Sequence, residues 1–346
     1  MGEANQQQVM NASKPDSDCR LPPRPSATRT LPWPPSTPPL MLAPMQGITN
    51  AALRAALEGW VRPDVVFTEL CRVRPGDTPV SRVDAREMAA RGGTPLVVQL
   101  IGSDANALVA GADAATRAGA QHLNLNLGCP SGRHVARSAG GALLKRSAAI
   151  PELLWRLRSA FAGSLSVKVR AGHDDPRQVL ELLPVFEDAG VDFMVLHPRT
   201  VTQGFGGRAD HGLTAEVVCR TRLPVIANGD ITTAAEARGV LRQTGAAGLM
   251  LGRGALADPL LFERVRGRAP ATTDVREQAL VLRRFLERLL PRYLALFCGD
   301  AQVLAKLREP LAFVTAPALR STVTAVRRAR TVAELEALLA NMSVTG

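Results

Sequence analysis

The sequence predicts an α/β fold, a (β/α)8 TIM barrel followed by an all-helical C-terminal domain, and three observations lead to it. Short apolar runs suited to strands recur every ~25 to 40 residues through the middle of the chain. Segments rich in Ala, Leu, Glu and Arg separate them, the alternation of a parallel barrel. After Leu256 the strand signal stops and the pattern reads as helix only.

The elements follow in order. Residues 1–38 are polar and then proline-rich (Pro32, Pro34, Pro35, Pro38), a composition that buries too little apolar surface to offset ordering entropy, so a disordered leader is expected. Residues 39–268 hold eight runs: Leu40 to Pro44, Val65 to Glu69, Leu96 to Leu100, His122 to Asn126, Leu165 to Val169, Phe193 to His197, Pro224 to Asn228 and Ala247 to Leu251. Asn106 to Ala118, Gln178 to Ala189 and Thr233 to Leu241 are expected as helices, with Gly119, Gly190 and Gly245 placed as C-caps and Pro184 as a disturbance in the second. Residues 269–346 form the helical domain, broken at Pro291, Gly299, Pro310 and Pro317.

Bulk properties narrow the partners. A net charge of +11 favours polyanions, and nucleic acid is the candidate, although an Arg-rich composition alone would give the same excess. Five cysteines (Cys19, Cys71, Cys129, Cys219, Cys298), odd in number and without ligand spacing, argue against a disulfide framework and a zinc site. No apolar run approaches the ~18 residues of a membrane span, so a soluble, cytoplasmic, monomeric protein without a membrane partner is expected.

A barrel enzyme carries its chemistry at the C-terminal ends of its strands, and there the unusual polar residues gather. The ends read Pro44-Met45-Gln46-Gly47, Glu69, Gln99, Asn124 and Asn126 leading to Gly128-Cys129-Pro130, Lys168 with Arg170, His197 with Arg199, Asn228-Gly229-Asp230, and Gly252-Arg253-Gly254. The last two are glycine turns where such barrels build phosphate sites, or are ordinary βα turns. In Ser166-Val167-Lys168-Val169-Arg170 the alternation puts both cations on one face and both valines on the other. If that face is the interior, the cations need an anionic or polar partner, such as a flavin ring that gathers negative charge on reduction. Cys129 has no adjacent His or Asp to form a thiolate pair, so a protonated thiol could act as general acid as readily as nucleophile, or be an inert buried thiol. Cys71 and Cys219, in apolar surroundings, read as core or subsurface thiols.

Six motifs carry a resemblance: Leu42-Ala43-Pro44-Met45-Gln46-Gly47-Ile48-Thr49, Asn124-Leu125-Asn126-Leu127-Gly128-Cys129-Pro130, Val167-Lys168-Val169-Arg170, His197-Pro198-Arg199-Thr200, Ile226-Ala227-Asn228-Gly229-Asp230-Ile231 and Leu251-Gly252-Arg253-Gly254-Ala255. Over residues from about 40 to 340 the chain resembles the bacterial tRNA-dihydrouridine synthases. The resemblance implies an enzyme that holds FMN, draws electrons from NADPH and reduces uridine in tRNA, with Cys129 as the acid that protonates the base. It implies Pro44, Met45, Gln46, Gln99, Lys168, His197, Asn228, Gly229, Asp230, Gly252 and Arg253 as the FMN site, and Asn126 and Arg170 as residues facing the uracil. Thr68-Glu69-Leu70-Cys71-Arg72-Val73 and the compact C-terminal region look most like the type C branch, which modifies position 16 of the D-loop. That implies Arg72, Lys306, Arg308 and Arg327 as tRNA contacts.

The chain departs from the family where Pro198 replaces a common Gly and Phe205 replaces a Tyr of the type C branch. Two other functions fit parts of the pattern: a flavin barrel reducing a free pyrimidine, and a tRNA-binding protein without a primary catalytic role. The basic helical region argues against the first, and the intact Cys129, Lys168 and glycine turns against the second.

Overall fold

The computed structural model describes residues 29–76, 93–130, 138–270 and 274–342. Nine strands form one parallel sheet: β1 (Leu40–Leu42), β2 (Val66–Phe67), β3 (Cys71–Arg72), β4 (Leu96–Ile101), β5 (His122–Leu127), β6 (Ser164–Arg170), β7 (Phe193–His197), β8 (Val225–Asn228) and β9 (Gly248–Leu251). The order runs β1-β9-β8-β7-β6-β5-β4-β2, and a bridge between Met41 and Val65 brings the β2 edge back to β1. All eight expected strands are present, but the second is interrupted. After Phe67 the hydroxyl of Thr68 accepts the Gln99 N–H at 2.9 Å in place of a ladder carbonyl, and β3 then pairs with the far end of β4.

Helices α1 (Ala51–Glu58), α2 (Ala105–Arg117), α3 (Ile150–Ala160), α4 (Gln178–Asp188), α5 (His211–Arg220), α6 (Ala234–Thr244), α7 (Arg253–Ala257) and α8 (Leu261–Val265) follow the barrel strands. The alternation seen in the sequence sets the two faces of the sheet. Outward residues such as Val167, Val169, Leu196 and Leu125 pack under the helices, while Met41, Phe67, Val97, Phe193, Val195, Ile226 and Met250 fill the interior. Pro184 does not break α4, because it lies on the exposed face, where water can satisfy the carbonyl that loses its N–H. Gly245 closes α6 in the left-handed conformation at φ 63°, as its C-cap position requires.

Two expectations need correction. The leader assignment for residues 1–28 lies outside the described residues, but Trp33, within the stretch expected to be disordered, is only 8% exposed and joins the interior cluster. Its ring meets Phe193 edge-on at a centroid distance of 4.9 Å, so the proline-rich segment stoppers the N-terminal end of the barrel. Proline content describes average burial and is blind to one aromatic that finds a hole. Beyond the barrel, α9 (Val275–Leu296), α10 (Gly299–Leu311), α11 (Arg320–Arg328) and α12 (Val332–Asn341) form the helical region. Pro291 and Pro310 fall inside α9 and α10 rather than between helices.

The helical region is fused to the barrel rather than hung from it. One apolar cluster runs from Leu40 and Leu251 of the sheet through Leu53 and Leu57 of α1 to Phe285, Leu289, Leu304 and Leu335. Asn50 donates to the Tyr293 hydroxyl at 3.4 Å across the same seam. Among the described residues, no helix is long and apolar enough to cross a membrane.

Candidate active site

A cavity of about 460 Å³ opens at the C-terminal end of the barrel. Of the residues singled out from sequence, Pro44, Met45, Gln46, Asn126, Cys129, Lys168, Arg170, His197, Asn228, Gly229, Asp230, Gly252 and Arg253 line it. Strand register explains the convergence: Asn126 stands beside Lys168, and Arg170 beside His197, on adjoining strands.

Beneath the cavity lies a closed polar network. Gln99 donates to Asn124 Oδ1 at 2.7 Å and accepts from Asn126 Nδ2 at 2.9 Å, and Asn124 donates to Ser166 Oγ at 2.8 Å. Gln99 is fully buried and is not among the lining residues; it supports Asn124 and Asn126 from below. Asn126 Oδ1 accepts the backbone N–H groups of Gly128 at 3.1 Å and Cys129 at 2.8 Å, an Asx-type turn that presents the Cys129 side chain upward. Only one amide N–H of Asn126 remains for a ligand.

The Cys129 thiol lies at the cavity edge, and burial holds its pKa above the ordinary thiol value, with the nearby Lys168, Arg170 and Arg72 pulling the other way. It therefore stays protonated at neutral pH. Lys168 is enclosed by the barrel, and burial with the neighbouring Arg170 depresses its pKa to about 8. Its ammonium meets no hydrogen-bond acceptor or carboxylate among the described residues, an incomplete arrangement for a cation inside a barrel. Arg170 is held differently: Nε donates to Gly128 O at 2.8 Å, and Nη1 to Thr200 O at 2.8 Å and Gly204 O at 2.6 Å. It ties the loop after β7 to the Cys129 turn, while Nη2 makes no hydrogen bond among the described residues and so keeps its two N–H groups.

The glycine turns are tightly built. Gly229 has φ 120°, and a Cβ there would come within 2.9 Å of His197 Cδ2 and 3.0 Å of the Ala209 Cβ. Asp230 accepts from Arg199 Nη2 at 2.6 Å and Ala209 N at 2.7 Å through one oxygen, and from Arg253 Nη2 at 3.3 Å through the other. Its carboxylate organises two arginines rather than standing open. Phe205, 59% exposed at the cavity rim, lies 4.9 Å from the Arg253 guanidinium and 5.5 Å from that of Arg170.

The basic residues outside the cavity divide. Arg327 is exposed on α11, which also exposes Arg320 and Arg328 and has no acidic residue. Lys306 is paired with Glu309 at 3.0 Å and lies 3.5 Å from Gly47 O, at the seam with the barrel loop. Arg308 donates to Ala329 O at 2.7 Å, linking α10 to the end of α11. Arg72, in β3, is half-buried and close enough to act on the Cys129 thiol. The sequence alone assigns no site role to Phe313, which comes from the helical region and lines the cavity, or to Arg199, which braces His197 and Asp230. Arg199 had stood out only as one more polar strand end, and no local signal marked Phe313.

Comparisons with known proteins agree with this geometry. A family model described as dihydrouridine synthase (Dus) matches residues 41–335. The tRNA-dihydrouridine(16) synthase of Cupriavidus necator is 35% identical over 70% of this chain and 78% of its own length. The tRNA-dihydrouridine synthase B of Pseudomonas putida is 32% identical over 65% of this chain and 67% of its own. Among solved structures, histamine dehydrogenase from Rhizobium sp. 4-9 superposes with a TM-score of 0.52 at 14% identity, over 72% of this chain and 48% of that one, a likeness of fold alone.

Proposed function

The chain belongs to the dihydrouridine synthase family, and we propose that it reduces a uridine in the D-loop of tRNA, at position 16, to 5,6-dihydrouridine with FMN and NADPH. The observation that carries the reading is the joint presence, in one cavity, of a protonated thiol at Cys129 and an ammonium at Lys168 that has no hydrogen-bond or ion-pair partner among the described residues. The ammonium fits the electron-rich edge of a flavin, and the turns at Gly229 and Gly252 with Arg253 fit its phosphate. When bound, the flavin supplies the hydride that adds to C6 of the uracil.

The protein's own part is small and specific. Cys129 holds the proton for C5, and its thiol is renewed from solvent. Asn126 keeps the Cys129 turn in place and offers its remaining N–H. Arg170 locks the loop bearing Phe205, whose exposed ring gives a flipped base a face to stack on. Gln99 supports this constellation from below.

The direct test incubates the purified protein with FMN, NADPH and tRNA that lacks dihydrouridine, then maps the product position by position. Dihydrouridine at position 16 is expected. Reduction of free uracil or orotate with none of tRNA would establish the free-pyrimidine reading instead.

For tRNA, the structure favours α11 over Lys306 and Arg308, whose cationic groups already have partners. Arg327→Ala is expected to weaken tRNA binding and lower the slope of log K against log salt by about 1, leaving flavin absorbance unchanged. An unchanged slope, measured by filter binding across a salt series, removes Arg327 from the interface.

A further inference from the structure

We infer that Arg199 is a positioning residue that fixes the tautomer of His197, so that the ring presents an Nδ1–H donor to the cavity. Arg199 is the second residue after β7 and 2% exposed. Its guanidinium contacts four acceptors: His197 Nε2 at 3.1 Å, Gly206 O at 3.0 Å, Gly207 O at 2.7 Å and Asp230 Oδ2 at 2.6 Å.

A guanidinium can only donate hydrogen bonds. The imidazole nitrogen that meets it must therefore be the one bearing the lone pair, and in a neutral ring the single proton then resides on Nδ1. Packing holds that orientation, because the Cδ2 and Nε2 edge of the ring lies against Gly229, where a Cβ would approach within 2.9 and 3.1 Å. His197 lines the cavity, and Nδ1 has no hydrogen-bond partner among the described residues.

Among the described residues, every charge facing the ring favours its neutral form except one. Lys168 and Arg170 approach from β6, Arg199 from the loop after β7 and Arg253 from the start of α7, and together with burial they bring the imidazole pKa to about 2. Asp230, from the loop after β8, is the acidic group nearby, and its carboxylate is taken by Arg199, Ala209 N and Arg253. His197 is thus neither a cation nor an acceptor toward the cavity. Together with the Lys168 ammonium it makes that side of the cavity a purely donating surface, selecting a ligand edge of carbonyl or phosphate oxygens or a lone-pair nitrogen.

The identity of that ligand rests on the function proposed above, whereas the tautomer belongs to the protein itself. The test is therefore NMR of the full-length protein labelled with ring 15N-histidine, with and without added FMN. The five histidines can be separated by loss of one signal in His197→Gln. The expected spectrum shows His197 protonated at Nδ1, bare at Nε2, and without titration from about pH 5 to 9. Arg199→Met should lose the Nδ1–H form in favour of Nε2–H, and Arg199→Lys, again a pure donor, should restore it. An Nε2–H tautomer in the wild type, or an unchanged tautomer in Arg199→Met, overturns the inference. Should the Met variant fail to fold, the wild-type spectrum alone decides. Failure of the tRNA assay with the Nδ1–H form present would instead count against the proposed reaction.

Discussion

Cys129→Ala is expected to lower dihydrouridine formation by about 10²- to 10⁴-fold, the range for removing a positioned general acid, while flavin and tRNA still bind. The substitution is mild for the fold. The turn is held through the Cys129 backbone N–H, which donates to Asn126 Oδ1 at 2.8 Å, so the side chain can be shortened without releasing it. Burial raises the thiol pKa more than Lys168, Arg170 and Arg72 lower it, so the proton is available at neutral pH and is lost only at alkaline pH. The wild-type rate should therefore hold through neutral pH and fall only at alkaline pH, whereas the residual rate of the Ala variant should lack the limb due to the thiol. Single-turnover measurements with prereduced enzyme check both points. Unchanged turnover in the Ala variant would remove Cys129 from the chemistry.

Lys168→Met is expected to move stability and binding in opposite directions. The folded-state pKa of about 8 lies below the ~10.4 of an unfolded lysine, so between these values the unfolded chain binds more protons and stability rises with pH. Below pH 8 the flavin-free protein carries the whole penalty of an enclosed ammonium, up to about 3 kcal/mol. Methionine has a similar shape and no charge, so the flavin-free variant should be more stable at pH 7 and should lack the rise above pH 8. FMN affinity should fall about 10- to 100-fold, the value of a charge-assisted hydrogen bond. Thermal denaturation at pH 7 and pH 10, with a flavin titration, measures all three. A less stable variant that binds FMN normally would show Lys168 to be a structural cation instead.

These two residues illustrate what could be read before the structure. The alternation of valines with Lys168 and Arg170 already placed both cations on one face, and the cavity confirms that this face is the interior. The eight strands and the polar residues at their ends were legible for the same reason: strand periodicity and glycine turns are written in neighbouring residues.

What the sequence by itself determined is thus the barrel, the shared face of Lys168 and Arg170 and the position of Cys129 after β5. Only the tertiary structure decided which polar groups find partners. Gln99 and Asn126 turn toward each other because β4 and β5 are adjacent, and Lys306 and Arg308 are held by Glu309 and the Ala329 carbonyl. Arg199 becomes a brace because β7 and β8 bring His197 and Asp230 within its reach, and Trp33 stoppers one end of the barrel while Phe313, from a distant segment, lines the cavity at the other. Periodicity and turn chemistry act over a few residues, whereas hydrogen-bond partners and cavity walls depend on contacts between segments far apart in the chain, which exist only after the barrel closes.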